Sequence, residues 1–264
     1  MTFKTYKQYV LETAHDLCPV RKKSIYTYSY YFDAFLIVLK HVNSWRSLSV
    51  TANFSGKSKY HYTTIRKMFN KWSKLKVFQI AYDKMLIVYK NNLPHSKSID
   101  LFIDACFISN KTGSELVGIN PTYYKKNVTK LSIICDNNKI PLSVTAFKTT
   151  TNDCKTVNQS VKSLNLNKPI NLIADKGYVT KRSDKLDLLK KYKIKLIVPK
   201  KKNQKNIRIS KFMRSKLKVR NKVENCIQSI KRFNRIMVRR DRKLCNFLGF
   251  VFIGIGLLLD KTNC

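Results

Sequence analysis

Acidic residues are scarce in this sequence: 15 Asp and Glu stand against 53 Lys and Arg, a net charge of +38 over 264 residues. Self-repulsion on that scale disfavours a compact state unless a polyanion neutralises it. Nucleic acid is the polyanion that fits best, because every phosphate neutralised by a cationic side chain releases condensed counterions. Lys and Asn drift in an AT-rich genome accounts for part of the bias, yet by itself it does not demand so few acids. Glycine and proline are also sparse, seven and six residues, which leaves little room for long flexible linkers. The seven cysteines occur singly with no C-x-x-C pair, which reads as reduced thiols in an intracellular protein and argues against a structural zinc site. His15, His41, His61 and His95 are isolated from one another and make no metal-ligand spacing, so they read as surface or packing residues. Met1 to Val10 lacks the apolar centre of a signal peptide. The longest apolar run, Phe247 to Leu259, falls short of the roughly 20 residues a spanning helix needs, so it is expected to be a buried helix or strand, and no membrane partner is expected.

What is present argues for a folded chain: 44% hydrophobic residues, with 14 Phe, 14 Tyr and 2 Trp. Residues 1–93 read as a helical DNA-binding or accessory domain. Tyr31 to Val42 is helix-like, Gly56 breaks the pattern, and Tyr62, Ile65, Phe69 and Trp72 recur at helical spacing. Arg66, Lys67, Lys71 and Lys74 fall beside that stripe. Short helices around a turn with a basic face suggest a helix-turn-helix-like unit with Arg66 and Lys67 toward DNA; an ordinary helical bundle with solvated lysines would look the same.

Asn91 to Ser98, with Pro94 inside, marks a boundary, and residues 94–264 form the second expected domain. Strands are expected at Ile99–Ile108, Lys130–Cys135, Ile140–Phe147, Ile170–Ala174 and Leu196–Val198. Asp136-Asn137-Asn138-Lys139 supplies a hairpin turn. Helices are expected at Asn152–Leu164 and Arg182–Tyr192, and one long helix over about 216–236. This order predicts an α/β fold, a mixed sheet flanked by helices, similar to the ribonuclease H-like architecture.

With so few acids, their positions carry weight. Asp104 lies between Ile103 and Ala105 in the most apolar strand, where an ionised carboxylate is costly without a compensating cation or hydrogen bond. Asp175 closes the strand Ile170–Ala174 and precedes Lys176-Gly177-Tyr178, at the strand end where α/β folds place ligands. Arg220, Glu224 and Lys231 follow at i, i+4 and i+11, which sets the latter two about 40° and 20° around a helix from the first. Val219, Val223, Cys226 and Ile230 form the neighbouring apolar stripe. Three carboxylates on separate elements suit a divalent-ion site for phosphodiester chemistry.

These residues resemble a known family. Arg220-x3-Glu224-x6-Lys231 is similar to part of the Tyr-x2-Arg-x3-Glu-x6-Lys signature of DDE transposases of bacterial insertion sequences, with Leu217 standing where the family has Tyr. Ala174-Asp175-Lys176-Gly177-Tyr178 resembles the second-aspartate motif, and Asp104 lies in the strand that carries the first aspartate. Gly118-Ile119-Asn120-Pro121 with Lys126 and Lys130 resembles the stretch that follows it. Arg239 to Asp241 with Phe247-Leu248-Gly249-Phe250, and Trp45-Arg46-x-Leu48 near the N-terminus, complete a likeness running from about residue 30 to 260.

The resemblance implies a transposase with a ribonuclease H-like catalytic core. Asp104, Asp175 and Glu224 would be catalytic and bind Mg²⁺, with Mn²⁺ as substitute, while Arg220, Lys231, Lys126, Lys130 and Lys176 would face DNA. The expected reaction is cleavage at transposon ends followed by joining of the freed 3′-OH to target DNA, by two-metal-ion catalysis. The expected partners are double-stranded terminal repeats and target DNA, bound by a homodimer inside the cell with the DNA. A domesticated or decayed DNA-binding relic, or a stand-alone ribonuclease H-like nuclease, would share most of these features. The Lys200–Lys218 tract reads as a DNA clamp or a solvated loop.

Overall fold

A computed structural model describes residues 4–19, 26–41, 44–49, 61–92, 98–120, 126–164, 168–199 and 210–261. Gly56, Pro94, His95, Pro121 and the first half of the Lys200–Lys218 tract lie outside the described residues. In chain order the elements are α1 (Tyr6–Leu17), α2 (Tyr28–Lys40), a 3-10 turn at Arg46–Ser49, α3 (Tyr62–Lys74) and α4 (Val77–Asn91). Then come β1 (Ile99–Asn110), β2 (Gly118–Ile119), β3 (Asn127–Cys135), β4 (Pro141–Phe147), α5 (Asp153–Val161) and β5 (Ile170–Ile173). A 3-10 turn at Lys176–Tyr178 leads to α6 (Arg182–Tyr192), β6 (Ile194–Ile197), α7 (Lys211–Lys218) and α8 (Asn221–Lys231). The chain ends in α9 (Asn234–Met237), β7 (Val238–Arg239) and α10 (Leu244–Asp260). The chain is thus mixed α/β with a helical N-terminal region, as its patterning predicts.

Two compact units emerge. Unit 1 gathers Met1–Leu93, Ser109–Glu115 and Ile230–Cys264; unit 2 gathers Pro94–Ile108 and Leu116–Ser229. In unit 1 the C-terminal segment clusters with the N-terminal helices.

Unit 2 is built on the sheet. The strand path is β2-β3-β1-β5-β6, with β4 paired to β3, and β7 pairing with the last two residues of β1 in unit 1. β1, β5 and β6 run parallel, while β3 and β4 form the antiparallel hairpin. Asp136 sets the turn: its Oδ1 accepts from the amides of Asn138 and Ile140, both at 2.9 Å, and Lys139 takes the left-handed conformation at φ 65°. β3 is buried at every position after its first, the pattern of a strand covered on both faces. Helix α5 covers part of it, with Ser160 Oγ donating to Ser132 Oγ at 3.0 Å and Ser143 Oγ to the Ser160 carbonyl at 2.7 Å.

The single long helix expected over 216–236 is instead three helices, α7, α8 and α9. The amides of Arg220 and Lys222 bond carbonyls three residues back, Leu217 at 3.4 Å and Val219 at 3.2 Å. The cause is burial. Val223, Cys226, Ile227 and Ile230 are buried, whereas Val219 is 36% exposed and α7 buries none of its residues. No continuous apolar face spans the region to hold one rod, and packing of such a face supplies most helical stability.

Unit 1 has an aromatic core. Phe69 stacks on Phe250 with centroids 4.2 Å apart, and Phe35 meets Phe69 and Trp72 edge-on at 5.1 and 5.4 Å. The Ile65, Phe69 and Trp72 stripe of α3 is buried as its spacing predicts, leaving Arg66, Lys67, Lys71 and Lys74 exposed. The apolar run at 247–259 is a helix, α10, buried along most of its length. Among the described residues no helix is long and apolar enough to cross a membrane.

Glycine is required on α10 for closeness. A Cβ at Gly256 would stand 2.5 Å from the Tyr6 ring. Tyr6 cannot swing aside, being fully buried with its hydroxyl donating to the Phe78 carbonyl at 2.9 Å. Gly256→Ala gains up to about 1 kcal/mol of helix propensity but meets an overpacking cost of about 1–3 kcal/mol. The variant is expected to be less stable in urea denaturation; equal or higher stability would show that the contact relaxes freely.

Candidate active site

The parallel pairing of β1 and β5 sets the two aspartates level. Phe102 pairs with Ile173, and Asp104 and Asp175 each follow two residues later on adjacent strands. Asp104 is half-buried, and its Oδ1 accepts from the Ala105 amide at 2.8 Å. Asp175 opens the 3-10 turn that follows β5, its Oδ1 accepting a short hydrogen bond from the Gly177 amide.

A third carboxylate joins them, one that the sequence pattern does not single out. Asp153, the first residue of α5, lies against the same turn: a Cβ on Gly177 would sit 2.9 Å from Asp153 Oδ2 and 3.0 Å from Asp175 Oδ1. Gly177 therefore keeps the space between two carboxylates clear. The sequence signal of Asp153 is weak, because an acid in the first turn of a helix is common for dipole reasons alone. Lys130, grouped by resemblance with DNA-facing cations, is 4% exposed; its ammonium lies 2.5 Å from Asp153 and donates to the Thr151 carbonyl at 2.7 Å. Tyr178 closes the base of the turn. Burial first, then the Asp153, Asp104 and Asp175 carboxylates, push its phenol well above the ordinary range and keep it protonated.

Burial also dominates Asp104. Desolvation, with repulsion from Asp175 and Asp153, outweighs the Ala105 hydrogen bond and the Arg220 charge and pushes its carboxyl up to about 6. The folded protein thus holds a proton on Asp104 between pH 4 and 6 that the unfolded chain releases. Stability from this group is full below pH 4, falls as pH rises through that window, and is lower by about 3 kcal/mol above it. In metal-free buffer Asp104→Asn, which keeps an acceptor for Ala105, is expected to be more stable than wild type at pH 7.5 and indistinguishable near pH 4. Urea melts at both pH values check this, and a gap independent of pH would refute it.

Arg220 stands just before α8 and pairs with Glu224 in its first turn at 2.8 Å. Its charge acts on Asp104 and favours the ionised carboxylate there. The Glu224 side chain is 49% exposed and held by Arg220. Lys231 is the last residue of α8 and belongs to unit 1. Lys126 and Lys176 are exposed in unit 2, Arg66 and Lys67 exposed in unit 1. In the described part of the 200–218 tract, Lys216 forms a close ion pair with Asp100.

A divalent ion fits part of this donor set. Asp104 and Asp175 offer hard oxygen ligands, and the repulsion that helps raise Asp104 is what a cation would relieve. Mg²⁺ usually takes one or two carboxylates and keeps several waters. Among the described residues no three His, Cys, Asp or Glu side chains converge closely enough to enclose an ion.

The profile of the family described as "Transposase DDE domain" matches residues 96–253. No curated protein matches the sequence. Among solved structures, the fold is similar to the piggyBac transposase in a cryo-EM synaptic complex with hairpin DNA, with a TM-score of 0.58 and 13% identity. That match covers 97% of this chain and 71% of the other.

Proposed function

This chain belongs to the family of transposases with a DDE domain, and from that premise we propose that it cuts phosphodiesters at transposon ends and joins the freed 3′-OH to target DNA. The observation that carries the reading is the level placement of Asp104 and Asp175 on parallel strands, with Asp104 desolvated and Arg220 acting on it. Asp104 and Asp175 would hold Mg²⁺ or Mn²⁺, with Glu224 as the third ligand. Bound ions supply activation of the attacking oxygen and charge neutralisation at the leaving 3′ oxygen.

The remaining roles fall to the chain's own groups. Arg220 carries a planar guanidinium suited to a phosphate oxygen pair, so DNA phosphate competes with Glu224 for it. Lys130 neutralises Asp153 and holds it beside the Asp175 turn, while Gly177 keeps the gap between them open. Tyr178, kept protonated, adds no further negative charge. Lys126, Lys176, Lys231, Arg66 and Lys67 would contact backbone phosphates, the last two from a helix-turn-helix-like unit. Cutting two ends requires two protomers, so the working form is a homodimer on DNA, located with the DNA in the cell.

The test is incubation of the protein with labelled duplex carrying the inverted repeats that flank its coding sequence, with Mg²⁺ or Mn²⁺. Nicking at the repeat boundary followed by joined product is expected. Nicking without joining would indicate a nuclease. The Arg220–Glu224 pair favours a second reading, a DNA-binding relic, which salt-sensitive binding without cleavage would establish.

A further inference from the structure

Unit 1 contains a cleft of about 370 Å³ lined by cations from three separate segments: Arg46 and Arg66, Lys111, and Arg235 with Arg240. Among the described residues no acid lines it. Arg235 is neutralised from behind by Asp241, with which it forms two hydrogen bonds at 2.9 and 3.1 Å. It is also fixed by the rings of Phe250 and Trp45, 5.3 and 6.0 Å from its guanidinium. Among the described acids none lies within ion-pair distance of Arg66, Lys111 or Arg240. Among the described residues the Arg240 Nε is buried without a hydrogen-bond partner.

The cleft is also held in shape. Tyr62 and Arg66 sit one turn apart on α3, and the Tyr62 hydroxyl accepts from Arg46 Nε at 3.3 Å. The Lys111 amide donates to the Arg239 carbonyl at 2.9 Å, which fastens that segment to β7. Hydroxyls of Ser44 and Thr112 add neutral donors. Converging guanidinium forks, an ammonium and hydroxyls, with no carboxylate among them, form a donor set for phosphate oxygens. We infer that this cleft is a second DNA contact, a site that grips backbone phosphate independently of base sequence and apart from the carboxylate site of unit 2. The inference rests on the transposase reading for its choice of duplex DNA over a free phosphate. Charged donors recessed in a cleft suit a protruding phosphate better than a base edge, so the contact would position DNA and not specify sequence.

The test compares duplex binding by the full chain across a salt series for wild type, Arg66→Ala, Lys111→Ala, the double variant and Arg240→Gln. Arg66 and Lys111 are exposed, so their removal leaves the core intact. A matched control, Lys162→Ala with Lys190→Ala, removes the same charge from exposed positions in unit 2. The double cleft variant is expected to bind about tenfold or more weakly at moderate salt, equally for unrelated sequences. Its slope of log K against log salt should fall by about one for each phosphate that is no longer neutralised. The control should change neither. Equal reductions in control and cleft variants would overturn the inference and leave the transposase reading standing. So would cleft-dependent binding of inorganic phosphate with unchanged DNA binding. Wild type that fails to bind duplex at low salt would overturn both.

Discussion

Asp175→Asn is expected to reduce metal-dependent cleavage by about a thousandfold or more while leaving DNA binding intact. The substitution keeps the side chain's shape and an oxygen to accept from the Gly177 amide, so the Lys176–Tyr178 turn survives. It removes the charge. Charge stabilisation by a bound divalent ion contributes several kcal/mol to such reactions, and each 1.36 kcal/mol is a factor of about ten in rate; a loss of about 4 kcal/mol gives the stated effect. Because Asp175 makes no buried ion pair among the described residues, folding stability should change little. Single-turnover cleavage, a salt-dependent binding curve and a urea melt on one preparation separate these quantities. Cleavage within tenfold of wild type would remove Asp175 from the reaction.

The largest stability effect should come from Asp241→Ala. Asp241 and Arg235 are 5% and 4% exposed at their side chains and meet through two hydrogen bonds. Removing one member strands the other charge in the interior, a loss of about 3–5 kcal/mol. The contrast is Lys4 with Glu12, about half exposed on both sides, where an exposed pair contributes only about 0–1 kcal/mol. Replacing both members of the buried pair by apolar residues of similar volume should recover most of the loss, because the stranded charge disappears with its partner. Urea denaturation of the single and double variants measures this. A single variant within 1 kcal/mol of wild type would mean that water or Trp45 and Phe250 already satisfy Arg235.

Local structure was legible where pattern and chemistry agree over a short span. The α3 stripe, the Asp136 turn, helix α6 and the strand around Asp104 all follow from spacing that one element expresses by itself. Glu224 illustrates the limit. Its spacing set it beside Arg220 on one helix face, where the two pair, but one unbroken helix would have required an apolar face that residues 211–219 do not possess. Asp153 was illegible because a helix-start acid looks the same whether it caps a helix or borders a cluster. Lys130 shows the same limit: its place in a basic stretch carries no sign of the strand's burial or of the approach of Asp153.

By itself the sequence determined the large excess of positive charge, the α/β class, and the two aspartates whose strand positions make them costly without compensation. Those properties depend on composition and on neighbours a few residues away. Tertiary structure decided which groups share space. β1–β5 register set Asp104 level with Asp175, α5 carried Asp153 to the Gly177 turn, and Arg46, Arg66, Lys111 and Arg240 converged from segments far apart in the chain. Convergence of that kind is a product of long-range pairing and packing, and the residues that take part carry no local mark of it.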